Sequence, residues 1–264
     1  RIGQYADPSF AQFLIEEHKI PVSEFKSEER MVRAINGYDA RIMYVDDQIK
    51  RLYERLNELG LSNNSLWVIT SDHGEGLGNH NYFGHGEYLY QEQLHVPLIL
   101  YSEAEMAGLK GRYSELVRTV DLFPTIAEML GRPLEREKLG LDGLSLVPAI
   151  SGGEFNPPQP HLALAQRRPK DFQTFRRKWE EGDVYAVLDL KEKLIEHSKS
   201  SDEFFDLEKD PKELNNLAED EPKRTSRMQQ QLHGILSSGK TFEPAPSEPI
   251  SPDTLDELKT LGYM

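Results

Sequence analysis

Leu66-Trp67-Val68-Ile69-Thr70-Ser71-Asp72-His73-Gly74-Glu75-Gly76 decides how the chain is read. Its first five residues are apolar or β-branched and suit a strand. The polar, glycine-broken run from Ser71 ends that strand. A loop carrying His80 and Gly84-His85-Gly86 follows, and the chain turns apolar again at His95-Val96-Pro97-Leu98-Ile99-Leu100. Four of the eight histidines (His73, His80, His85 and His95) fall in this one segment. In open α/β sheets ligands bind beyond the carboxyl ends of strands, and Asp72 and His73 occupy such an end. A carboxylate oxygen and an imidazole nitrogen are ordinary ligands of a divalent cation. Taken alone, Asp72-His73-Gly74 fits a turn closed by an Asx hydrogen bond better than a ligand pair. Gly74 and Gly76 are expected to let the backbone turn sharply.

Upstream, the spacing of Met31, Ile35, Tyr38, Ile42, Val45, Ile49, Leu52 and Leu56 predicts a helix over 27–59 with one apolar face. Ser27 suits its N-cap and Gly60 its C′ position. A strand follows within a few residues, so the helix is expected to pack on a sheet rather than in a coiled coil. Residues 1–26 read as loops with a short helix. Leu61 to Asn64 reads as a turn.

Downstream, His95 to Tyr101 reads as a second strand, with Pro97 early in it or at an edge. His95 suits a strand-end histidine bonded to a carbonyl better than a site residue, though it sits near the site loop. Asp121 is expected to cap a helix running to Leu130 and ended by Gly131. Ser151 to Pro160 is rich in proline and glycine and marks a linker. Beyond it, Val184 to Asp189 and Lys193 to Glu196 read as short strands, and 222–238 as an amphipathic helix. The stretch 240–252 reads as extended and 254–264 as a last short helix. The fold class is thus α/β, a sheet flanked by helices over 1–150, with a smaller α+β subdomain over 161–264.

The 264 residues carry a net charge of −14, which disfavours nucleic acid and anionic membranes. There is no cysteine, so disulfides and zinc-thiolate sites are excluded. No apolar run approaches the about 18 residues of a membrane span. Arg1-Ile2-Gly3-Gln4 is no signal peptide, and neither compartment nor oligomeric state is readable.

The ordered set Ser71-Asp72-His73-Gly74-Glu75-x-Leu77-Gly78-x-His80, Gly84-His85-Gly86 and Leu89-Tyr90-x-Glu92-x-Leu94-x-Val96-Pro97-Leu98-Ile99 resembles the sulfatase family of the alkaline phosphatase superfamily. Further resemblances lie in Tyr44 to Ile49, where Asp46 reads as structural, and in Val120-Asp121-Leu122, Asp142 to Leu146 and Phe204 to Leu217. The resemblance implies an alkaline-phosphatase-like sheet and metal ligation by Asp72 and His73. It also implies that His85 faces the ester. His80, in the family's Gly-x-His element, is either structural or a possible substrate-side residue, and proximity to the site loop makes His95 a possible substrate-side residue. The implied cation is Ca²⁺; histidine at position 73 leaves Mn²⁺ or Zn²⁺ open. The implied substrate is a small-molecule or saccharide sulfate ester. The family's first half supplies an Asp-Asp metal pair after a first strand and a Cys- or Ser-x-Pro-x-Arg motif that becomes formylglycine. Neither occurs here, so the chain is expected to be the C-terminal part of a longer enzyme, inactive alone. A phosphodiesterase, phosphonate hydrolase or phospho-group transferase of the same superfamily stays open, as does a non-catalytic binding module.

Overall fold

The computed structural model describes residues 28–103, 111–167 and 182–238. The expectations for 1–26, the Ser27 cap, 240–252 and the 254–264 helix lie outside the described residues. Helix α1 (Glu28–Glu58) is long because its interior carries no proline and one glycine, Gly37. It stops at Gly60, whose φ of +70° lets the Leu61 N–H reach Leu56 O and the Gly60 N–H reach Asn57 O, both at 2.9 Å.

The apolar stripe of α1 is buried only in part. Ile35 and Ala40 are covered, whereas Ile42, Val45 and Leu52 are each 53% exposed. The expected packing of the whole stripe on a sheet is therefore corrected. The contact with the following strands is carried near the C-terminal end by Tyr53, whose ring centroid lies 5.8 Å from that of Trp67 and 6.2 Å from that of Tyr101. Its hydroxyl donates to Glu103.

Strand β1 (Leu66–Thr70) pairs antiparallel with the strand that closes the site loop, here β4 (Leu98–Ser102), in a two-stranded sheet. Pro97 stands just outside the ladder, where its missing N–H costs nothing. The expected strand at Trp67 is present; β1 is half-buried, and Ile99 and Tyr101 on β4 are exposed. Between β1 and β4, the two-residue strands β2 (Gly76–Leu77) and β3 (Phe83–Gly84) pair antiparallel, followed by the one-turn helix α2 (Gln91–Leu94).

Next come α3 (Leu122–Met129), α4 (Arg136–Leu139) and α5 (Val147–Ile150). Asp121 does not cap α3 with its side chain. It is fully buried and accepts from the Arg118 backbone N–H at 2.8 Å, the Arg118 guanidinium at 2.8 and 3.2 Å, and the Leu144 N–H at 2.8 Å. A carboxylate offered a guanidinium and two amides gains more there than from one helix-end amide, so Asp121 ties the Asp142–Leu146 loop to the helix start.

Residues 151–160 contain no helix or strand and lead into β5 (Ala163–Arg167). With β6 (Val184–Leu188), β7 (Glu192–His197) and β8 (Glu203–Asp206) it forms a four-stranded antiparallel sheet in order β5-β6-β7-β8. Neither β5 nor β8 is among the strands expected from the sequence. Both faces of this sheet are covered. Val187, Leu194 and Phe204 meet Met228 and Leu232 of α6 (Pro222–Ser238). Ala186, Ile195 and Phe205 meet Leu89 and Tyr90 from the site loop. The segment between β3 and β4 is thus packed onto the C-terminal sheet, and this fixes where the site loop stands.

Candidate active site

The β2–β3 pairing builds the site. Gly76 faces Gly84 and Leu77 faces Phe83, so one step further out Glu75 comes opposite His85. Their side chains meet, with His85 Nδ1 2.9 Å from Glu75 Oε2. A carboxylate only accepts, so the imidazole donates through Nδ1–H and Nε2 is the ring nitrogen left over. The His85 ring also stacks on His73, with centroids 4.2 Å apart and planes 23° from parallel. The backbone around His85 is held from both sides. Its carbonyl accepts from the Tyr82 hydroxyl at 2.9 Å, and the Gly86 N–H donates to Oε1 of buried Gln93 at 2.9 Å.

His73 follows β1 directly. Its Nδ1–H donates to Gly74 O at 2.8 Å, which leaves Nε2 with its lone pair. That Nε2 lies 3.8 Å from Asp72 Oδ2, too far for a hydrogen bond. Asp72 Oδ1 accepts the His73 backbone N–H at 3.0 Å. Asp72 Oδ2 and His73 Nε2 are therefore both left facing solvent. The second imidazole nitrogen is tied to a carbonyl, as in most metal-ligating histidines. The two donors fit a divalent cation as part of a ligand set. Among the described residues, no group of three or more acidic or imidazole side chains is placed to hold one.

Gly74 serves this geometry by close approach rather than by a sharp turn. A Cβ there would sit 2.0 Å from Glu92 O, and the Gly74 N–H donates to Gln93 O at 2.9 Å. The strand end is thereby pressed onto α2, which in turn holds Gly86 through Gln93.

The other two histidines of the segment lie elsewhere. His80 is 11% exposed and uses both ring nitrogens internally, on Glu92 Oε1 and Glu213 O, each at 2.9 Å. Its ring stacks on Tyr90 at 3.6 Å. Burial alone would lower its pKa; the bonds to Glu92 and Glu213 outweigh that and hold it above the usual histidine value. As a substrate-side residue His80 is corrected, because no ring atom is left for a ligand. His95 ends α2 and is exposed, and no hydrogen bond or ring contact joins it to Asp72, His73 or His85 among the described residues.

Around His80 lies a buried ionic cluster that the sequence does not announce. Lys193 Nζ and Glu213 Oε1 are 2.6 Å apart, and neither side chain has solvent contact. Glu213 also accepts the Gln91 N–H at 2.6 Å, which ties α2 to the segment that follows β8. Burial lowers the Lys193 pKa and raises that of Glu213, each opposed by the other's charge. Glu203 accepts from the Tyr90 hydroxyl at 2.8 Å and pairs with His197 at 3.0 Å. Tyr38 of α1 was expected only as an apolar position. Its hydroxyl pKa is raised by burial and, to a smaller extent, by the charges of Glu75 and Asp39.

Comparison with known proteins adds to this geometry. A family model described as "N-sulphoglucosamine sulphohydrolase, C-terminal" matches residues 78–241, and one described as "Sulfatase" matches residues 4–132. The chain belongs to the sulfatase family. An arylsulfatase of Clostridium perfringens is 30% identical over 198 residues, covering 74% of this chain and 38% of its own length. A choline-sulfatase of Rhizobium meliloti is 30% identical over 195 residues, covering 73% of this chain and 35% of its own length. This sulfatase chain therefore spans well under half the length of those relatives.

Among solved structures, a sulfatase-like protein of Bacteroides thetaiotaomicron aligns with TM-score 0.69 at 20% identity, over 95% of this chain and 53% of that one. Another structure, of a protein in complex with its substrate D-glucosamine-2-N,6-O-disulfate, gives 0.62 at 22% identity, over 88% of this chain and 46% of that one. A phosphonate monoester hydrolase of Silicibacter pomeroyi gives 0.67 at 22% identity, over 90% and 47%. The fold is that of the alkaline phosphatase superfamily.

Glu75 and Gln93 are the site residues that sequence reading passes over. The signal for Glu75 was the pair of glycine-flanked turns, Gly74-Glu75-Gly76 and Gly84-His85-Gly86, which a short hairpin brings face to face.

Proposed function

We propose that the whole protein to which this chain belongs is a metal-dependent sulfuric ester hydrolase acting on small-molecule or saccharide sulfate esters. The observation that carries the reading is the joining of Asp72, His73 and His85 at one solvent-facing rim, with the two rings stacked at 4.2 Å. Asp72 and His73 would hold the divalent cation, Ca²⁺ by family resemblance, with Mn²⁺ or Zn²⁺ favoured by the imidazole. When bound, the cation would polarise the ester oxygens. His85 presents Nε2 for the sulfuryl oxygens or for delivery of a proton to the departing alcohol. The saccharide substrate of one structural neighbour and the sulfate esters named for two relatives support this class.

Phosphonate or phosphate ester hydrolysis is the second reading, supported by the phosphonate monoester hydrolase neighbour. Both are tested on the whole protein with matched 4-nitrophenyl sulfate, phosphate and phenylphosphonate esters, with metal content measured in parallel. The expected result is preference for the sulfate ester and loss of both metal and turnover in Asp72→Ala. Preference for the phosphorus esters would exchange the two readings. Unchanged metal and turnover in Asp72→Ala would leave a binding module.

A further inference from the structure

We infer that Glu75 is a positioning residue for His85, selecting the ring orientation and tautomer with which His85 meets the leaving group. The inference rests on the hydrolase reading above. His85 is 53% exposed on a loop tip, and an imidazole there has two faces, two flips and two tautomers of similar energy. Three contacts remove that freedom. The β2–β3 register sets Glu75 across from it, the carboxylate takes Nδ1–H at 2.9 Å, and the His73 ring stacks against one face. Nε2 then becomes the one ring atom directed away from the protein's own hydrogen bonds.

Glu75 is itself only 26% exposed and stands directly before β2, whose backbone register with β3 is fixed at Gly76–Gly84. The arrangement repeats the logic of a carboxylate that orients a working imidazole without touching substrate. In proton delivery His85 acts as the imidazolium: its Nε2–H bond breaks as the ester's bridging oxygen takes the proton, while the S–O bond opens and the sulfuryl group passes to the nucleophile of the whole protein. The Nδ1–H stays on the ring, donated to Glu75 throughout.

Two measurements test this. On the 264-residue chain, ¹⁵N resonances of the His85 ring should report one dominant tautomer with Nδ1 protonated. Glu75→Ala should give a tautomer mixture, and Glu75→Gln, whose amide oxygen still accepts, should keep most of the native signature. On the whole protein, Glu75→Ala should lower kcat by about 10- to 100-fold, the range seen for residues that orient a working ligand. KM and metal content should be unchanged, and alkyl sulfates, which need a proton on departure, should suffer more than 4-nitrophenyl sulfate. In a His85→Ala background the same substitution should add less than about 2-fold, since coupled residues are not additive.

An unchanged ring signature in Glu75→Ala, or an equal loss with and without His85, overturns the inference. So does loss of bound metal, which would make Glu75 a ligand. Absence of sulfate turnover in the native protein would sink the hydrolase reading instead, and the ring resonances would still decide the pairing.

Discussion

His73 and His85 at the rim, and His80 and His197 in the interior, are one residue type put to opposite uses. The rim pair is exposed, and each ring keeps Nε2 outside the protein's own hydrogen bonds. The interior pair is nearly sealed from water. His80 has both nitrogens bonded, and His197 pairs with Glu203. The difference teaches that the site loop does not hold itself. Its chemistry-bearing turns are short two-residue strands, and its rigidity comes from an ionic cluster and an apolar face on the neighbouring sheet. The rim nitrogens stay open to solvent while other charged groups nearby are buried and paired.

The largest expected effect lies in the interior. Lys193→Met leaves the Glu213 carboxyl in a dry site without its counter-charge, a loss of about 3–5 kcal/mol for a broken buried pair. Urea unfolding measures it, and adding Glu213→Leu should recover much of the loss. If Lys193→Met is silent, the cluster is not what holds the loop and the comparison breaks.

Next is Gly74→Ala, whose Cβ would meet the Glu92 carbonyl at 2.0 Å. Strand end and α2 must separate, at about 1–3 kcal/mol for overpacking, and loss of the His73–His85 stack should show in their ring resonances. A tolerated alanine would mean that the two segments are not rigidly joined.

A smaller effect follows pH. His80 titrates higher folded than unfolded, so folding favours its protonated form. That contribution is complete below its ordinary value of 6.5 and is lost as pH rises through the raised folded value. Tm should therefore fall over that window, and His80→Gln should flatten this part of the profile. An unchanged slope in His80→Gln would assign the effect to other groups.

The smallest expected stability change is at the rim. His85→Ala should move the unfolding free energy by no more than about 0.5 kcal/mol, as for exposed sites, while turnover of the whole protein falls. A stability loss like that of Lys193→Met would make the rim structural and erase the contrast.

The sequence by itself determined the local units. Periodicity marked α1 and its Gly60 stop, and short strand-like runs marked β6 and β7. The Ser71 to Gly76 punctuation located the end of β1 and with it Asp72 and His73. Those features depend on residues close in the chain. What only the tertiary structure decided was the partner of each group. Glu75 meets His85 through a hairpin register, and His80 turns inward because Glu92 and the Glu213 carbonyl are there to receive it. Asp121 takes Arg118 and Leu144 in place of a helix end. The apolar stripe of α1 reads as buried from spacing alone, yet Ile42, Val45 and Leu52 lie open. Spacing fixes which side chains share a face, but burial and bonding depend on what the rest of the fold brings against that face, over separations a local pattern does not carry.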